Sequence, residues 1–112
     1  MHKLLKMKGY RYIQTAIKGR SGRYKLWVAD TDSKKIKGLS GIKSLDRNEG
    51  MIFIYPTEDF RTFTMKNTYI PLLIMFCDKD LNILQIEKGK PKSKFPITSR
   101  DKVKYVIEIL DK

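Results

Sequence analysis

Residues 38–72 read GLSGIKSLDRNEGMIFIYPTEDFRTFTMKNTYIPL, and the fold is decided there. Ser44 to Glu49 is a polar loop. Gly50 follows it and opens a short apolar run, Met51 to Tyr55, which Pro56 is expected to stop. A glycine at such a point allows a bend or a positive φ. In a strand, Met51 and Phe53 point to the same face, which makes both core candidates. Phe60 to Met65 alternates Phe60, Thr62, Thr64 against Arg61, Phe63, Met65, the period-two pattern of a further strand. Lys66 and Asn67 then stand as adjacent polar residues between two apolar stretches.

The same punctuation continues on both sides. Upstream, Tyr10 to Ile17 and Tyr24 to Ala29 have strand composition. Gly19 and Gly22 lie between them, so the pair predicts a hairpin. Asp30 to Ser33 offers several helix N-caps before Lys34-Lys35-Ile36-Lys37, and Gly38 can end a short helix near residues 32–37. Downstream, Leu72 to Cys77 is continuously apolar, as in a central strand buried on both faces. Asp78-Lys79-Asp80 turns into Leu81 to Ile86, and Lys88 to Pro96 is expected as an extended loop. Val103 to Leu110 alternates Val103, Tyr105, Ile107, Ile109 against Lys104, Val106, Glu108 and closes the chain as a strand. Many short strands with one short helix predict a mostly β fold, either a small β-barrel-like domain or a strongly bent antiparallel sheet. At 112 residues the chain is one domain. It is divided here into a basic tail over residues 1–9 and a single β-rich domain over residues 10–112. The expected core is Met51, Phe53, Phe63, Leu72, Ile74 and Phe76.

Three signatures stand in fixed order: Gly38-Leu39-x-Gly41, Gly50-Met51-x-Phe53, and Phe63-x-Met65-Lys66-Asn67-Thr68 followed by Ile70-Pro71-Leu72. Together they resemble domain-of-unknown-function family 192, the "ancient conserved region" domains of bacteria and archaea, from Tyr24 to Leu110. The resemblance implies a β-rich fold and carries no settled activity. The functional reading is a family cleft in which Lys66 binds an anion and Asn67 orients a polar ligand, with Thr68 as a further ligand-binding candidate. The residues alone equally allow Asn67 to hold a turn and Lys66 to be solvated. The departures matter. Ser40 stands where the family typically has Met, Ile42 where it commonly has Arg, Thr64 where Trp is frequent, and Leu73 where Asp usually follows Ile-Pro-Leu. The frame is kept while charged groups are lost, which suggests a scaffold put to another use. Relatives also continue beyond the last strand, so Val103 to Leu110 is expected to be an open edge, covered either in cis or by another chain.

The net charge is +12, and residues 1–29 contain Lys3, Lys6, Lys8, Arg11, Lys18, Arg20, Arg23 and Lys25 without one acid. Such density attracts polyanions. It is also what an AT-rich genome encodes, since lysine outnumbers arginine 18 to 6. Tyr10, Tyr12, Tyr24 and Trp27 interleave with these cations, as stacking residues do in single-strand binders. Cys77, the single cysteine, sits in an apolar run and reads as a buried hydrophobe. His2 is the single histidine. No catalytic residue, metal site or cofactor is therefore expected, and the chain is read as not an enzyme. No signal peptide or span is visible, which places it inside the cell, or in a virion if it is of phage origin. The leading expectation is a structural or interaction module in a larger, nucleic-acid-containing assembly such as a phage particle. Its partners would be other protein chains, with nucleic acid met through the basic N-terminal region, and no membrane. Two alternatives are carried beside it: a small-ligand-binding domain or enzyme using the Lys66–Asn67 cleft, and a free nucleic-acid binder using the N-terminal hairpin.

Overall fold

In the computed structural model, which describes residues 7–111, the elements run β1 (Tyr12–Ala16), β2 (Arg23–Ala29), α1 (Asp32–Lys37), β3 (Glu49–Asp59), β4 (Thr62–Phe63), β5 (Leu72–Cys77), β6 (Ile83–Gly89), β7 (Ile97–Thr98) and β8 (Val103–Leu110). Strand makes up 46% and helix 6%, so the fold is mostly β. Six strands form one sheet in the order β1-β2-β3-β8-β5-β6, and β4 pairs β7 in a two-stranded sheet. The large sheet is open rather than a closed barrel, with β1 and β6 as its edges. It is also mixed: β2 and β3 are parallel, whereas the other neighbours are antiparallel. A parallel neighbour needs a crossover, and residues 30–48, including α1, supply it. Thr31 caps α1 by accepting from Lys34 N, and Gly38 ends it at φ 51°.

Several boundaries move. Pro56 does not stop β3, which runs on to Asp59. Its pairing with β8 is irregular between Ile54 and Asp59, so the missing N–H of Pro56 falls where the ladder is already broken. The strand expected over Phe60 to Met65 shrinks to Thr62–Phe63. β6 begins at Ile83, after Leu81 at φ 64°, and reaches Gly89, so Lys88 is in a strand. The proposed tail also changes. Met7 is 3% exposed within the core, and Gly9 O accepts from Lys34 Nζ, so residues 7–9 belong to the body. Residues 1–6 lie outside the described part.

The largest correction concerns Val103–Leu110. It is no open edge but an inner strand, paired to β3 on one side and β5 on the other. The comparison with longer relatives had suggested the edge, but sheet order is set by which faces need burying on both sides. The expected alternation also breaks at its start. Val103 joins Val106 on one face, while Tyr105, Ile107 and Ile109 lie on the other.

Cross-strand rows define the first face. Trp27, Met51, Glu108 and Ile74 stand in register across β2, β3, β8 and β5. Ala29, Phe53, Val106 and Phe76 form the next row. Leu39, Ile42, Leu45, Met65 and Ile70, from the segments after α1 and after β4, cover this face. Of the expected core, Met51, Phe53, Leu72, Ile74 and Phe76 are at most 1% exposed, whereas Phe63 is half-buried and packs edge-on against Phe53 and Phe76. The second face is built from Leu26, Val28, Met75, Cys77, Ile107 and their neighbours, nearly all on the sheet strands themselves. A face buried without a covering layer requires the sheet to bend around it. Gly50 serves closeness and not a positive φ: a Cβ there would lie 2.1 Å from Glu108 O. Among the described residues, no helix is long and apolar enough to cross a membrane.

Candidate functional site

The two covering segments leave a cleft on the first face. Its volume is about 590 Å³. The size falls in the range of small-molecule sites. One wall is α1 with the turn that follows it, Gly38 to Ser40; the other is Arg61 to Thr64 with Asn67 and Thr68. Phe53, Phe63 and Tyr55 line it, and Glu108 reaches it from β8. The turn is held in place from both sides. Gly41 N donates to Asn67 O at 3.0 Å, tying one wall to the other. A Cβ on Gly38 would come within 3.3 Å of the Phe53 ring, so this glycine lets the turn settle on the aromatic floor.

The sequence-predicted cleft residues divide. Asn67 and Thr68 line the cleft, and Thr68 is buried. Lys66 is exposed and is not part of the lining. The cations that do line it are Lys35, Lys37 and Arg61. Lys35 Nζ donates to Ile54 O at 3.1 Å and stands 4.4 Å from the Tyr55 ring centre. Arg61 stacks on the same ring, its Cζ 3.8 Å from the centre. Its Nε donates to Val103 O at 3.4 Å and its Nη2 to Thr57 O. Carbonyls therefore fix both cations, and neither has a carboxylate partner among the described residues. Burial pushes the Tyr55 hydroxyl up to about 12, opposed by Arg61 and reinforced by Glu108, so it stays a neutral phenol.

Glu108 is the least expected group. It sits between Met51 and Ile74 in the middle of an apolar row, 5% exposed. Among the described residues its carboxyl has no hydrogen-bond partner, and its oxygens open on the cleft rather than being sealed in the core. Burial raises it to about 8, so it carries its proton at neutral pH. Glu49, the other buried glutamate, contrasts with it, because Glu49 accepts from Trp27 Nε1 at 2.7 Å and from Asp46 N at 2.8 Å. The sequence held a signal for Glu108, a glutamate inside the apolar run Val106-Ile107-Glu108-Ile109, but strand alternation alone sent it outward. Lys35, Arg61 and Tyr55 carried no signal distinguishing them from other cations and aromatics. No group of three His, Cys, Asp or Glu able to hold a metal occurs among the described residues.

The basic N-terminal set is dispersed. Lys3 and Lys6 lie outside the described residues. Lys8, Lys18, Arg20 and Arg23 are exposed. Arg11 pairs with Asp30 at 3.0 Å, and Arg23 Nη2 donates to Gln14 O. Lys25 is half-buried over the rings of Tyr12 and Trp27. The four aromatics do not share a surface: Trp27 and Tyr24 are buried on opposite faces, Tyr10 is half-buried, and Tyr12 is half exposed.

The frame of this cleft is the Gly38–Gly41 turn, the Gly50–Phe53 strand and the Phe63–Thr68 wall. Domain-of-unknown-function family 192, described as uncharacterized ACR, matches residues 13–111. The chain belongs to this family. Its fold is similar to that of a protein of unknown function from Novosphingobium aromaticivorans, with a TM-score of 0.83 and 32% identity over 92% of this chain and 76% of that one. It is also similar to a Sinorhizobium meliloti protein described as a proposed transcription regulator, with a TM-score of 0.79 and 30% identity over 90% of this chain and 79% of that one. No curated protein matches the chain. Within the family 192 frame, the departures fall in different places. Ser40 and Thr64 line the cleft, and both are smaller than the Met and Trp that the resemblance leads one to expect. Ile42 is buried in the covering layer, and Leu73 lies on the opposite face of the sheet. The loss of a charge at position 73 therefore takes nothing from the cleft.

Proposed function

We propose that this chain is a non-enzymatic small-ligand-binding domain whose ligand occupies the cleft between α1 and the Arg61–Thr68 wall. The observation that carries it is the Glu108 carboxyl: on a residue only 5% exposed, it makes no protein hydrogen bond among the described residues and turns its oxygens to an aromatic cleft. Such a carboxyl is held by cleft water alone, on a strand row that is otherwise apolar. A ligand gains by displacing that water with a better-matched hydrogen-bond partner. The lost-charge argument for an assembly role weakens, because Leu73 faces away from the site. The test is a fragment screen on ¹⁵N-labelled protein. Hits should shift the amides of Ser40, Thr62, Thr64 and Asn67 together. Hits that gather on the second face, or no hits at all, would remove the reading.

A second reading, docking in a larger assembly near nucleic acid such as a phage particle, is favoured by a different observation. β6 ends the sheet with Leu84 and Ile86 exposed, 41% and 49%. An open apolar edge is a template for another chain. Light scattering at rising concentration tests it: self-association lost in Ile86→Lys would support docking through β6, and a monomer throughout would count against it.

A further inference from the structure

We propose, resting on the cleft being a binding site, that its ligand is a small amphoteric molecule. An ammonium group would sit at Glu108, a carboxylate at Lys35 and Arg61, and a flat apolar body between them against Phe53 and Phe63. Four observations combine. Lys35 and Arg61 are both fixed over Tyr55 by carbonyl acceptors, without a carboxylate to neutralise them among the described residues. Glu108 opens into the same cleft, which Asp32 and Lys37 of α1 also line, yet no ion pair or hydrogen bond joins Glu108 to a cation. Two fixed cations and an ionisable carboxyl that share a cleft without meeting leave a gap that a bridging molecule can fill. The Phe53 and Phe63 rings, 4.9 Å apart and edge to face, supply an apolar surface. Ile36, on the rim and 87% exposed, extends that surface outward.

The two ends have different requirements. An anion alone would satisfy Lys35 and Arg61 but leave Glu108 against an apolar body. A cation alone would satisfy Glu108 and leave the two cations unpaired. A molecule with both completes the set, and charge-assisted hydrogen bonds are the stronger kind. The protonation state adds a signature. Burial holds the Glu108 proton in the empty cleft near pH 7. An arriving ammonium favours the carboxylate, so Glu108 gives its proton to solvent as the ion pair forms. One proton leaves for each amine bound, and no other bond changes.

The probes are L-phenylalanine, 3-phenylpropionate, which lacks the ammonium, and phenethylamine, which lacks the carboxylate. Affinities come from amide shifts of Ser40, Thr64 and Asn67. Proton release comes from calorimetry near pH 7 in two buffers of different ionisation enthalpy. L-phenylalanine should bind at least about tenfold tighter than either fragment of it, the effect of one charge-assisted contact. Both amines should release protons, and 3-phenylpropionate should release none. In Glu108→Gln, phenylalanine should lose its advantage over 3-phenylpropionate, and proton release should vanish. Equal affinities for all three, amine binding without proton release, or silence of the cleft amides to every probe would overturn the amphoteric ligand. The fragment screen decides the cleft itself separately: other fragments shifting the same amides would leave the binding site standing while this ligand class fails.

Discussion

Cys77 and Glu108 lie on neighbouring strands, β5 and β8, on opposite faces of one sheet, and both are buried. Their surroundings differ. Cys77 sits on a face made almost wholly of strand residues, where burial pushes its thiol up to about 11 and its Sγ donates to Met75 O. A neutral thiol costs little there, and the residue acts as a small hydrophobe. Glu108 sits on a face roofed by two long segments that meet at Gly41 and Asn67 and leave a cleft beside that contact. A carboxyl is expensive in such a place and would be replaced by leucine if packing were its only task. The self-covered face serves folding, and the roofed face keeps a polar group that folding does not need.

That comparison breaks at Gly50 first. Gly50→Ala puts a methyl group into the backbone of β8 at Glu108, where no flexible side chain can yield. The expected loss is about 4 kcal/mol or more, read by urea denaturation, and it removes both faces together. A loss under about 1 kcal/mol would mean β3 and β8 can separate. Truncation then distinguishes the faces. Phe53→Ala should cost roughly 3–5 kcal/mol and Met75→Ala roughly 2–5 kcal/mol. Only Phe53→Ala should also abolish fragment binding, because Phe53 lines the cleft and Met75 does not. Equal effects on binding would erase the division.

The pH dependence sharpens it further. The carboxyl of Glu108 is raised in the folded state, from an ordinary glutamate value to about 8. Between those values the folded chain holds a proton that the unfolded chain has released. Stability from this group is therefore greatest at acid pH, falls as pH rises through that window, and levels off above about 8. Glu108→Gln should remove this part of the slope and leave the variant a few kcal/mol more stable than the parent at alkaline pH. Identical pH profiles would mean that cleft water solvates the carboxyl as well as bulk water does. The smallest effect belongs to Lys66→Ala. Its side chain is exposed and outside the lining, so stability should move by less than about 0.5 kcal/mol and cleft affinity not at all. A marked loss of affinity would return Lys66 to the site.

The legible part of this molecule was local. The hairpin of β1 and β2, the six-residue α1 ended by Gly38, and the doubly buried β5 each declare themselves through turn residues, caps or an unbroken apolar run. Asn67 and Thr68 were legible through the family motif, and they do line the cleft. Lys66 was misplaced because adjacent residues in an irregular segment point different ways, and the motif does not say which. Lys35 and Arg61 could not be found in advance, since 24 Lys and Arg residues give no reason to prefer two.

What the sequence determined by itself is the class of fold, the family and most of the core, because short-range periodicity and glycine placement act within a few residues. What the tertiary structure decided is the order of the strands. β8 comes last in the chain and inside the sheet. That single placement turns a supposed open edge into a central strand, and it carries Glu108 from an expected outward face to the depth of the cleft. Sheet order depends on pairing between segments far apart in the chain, set by the joint burial of both faces, and no local pattern of residues encodes it.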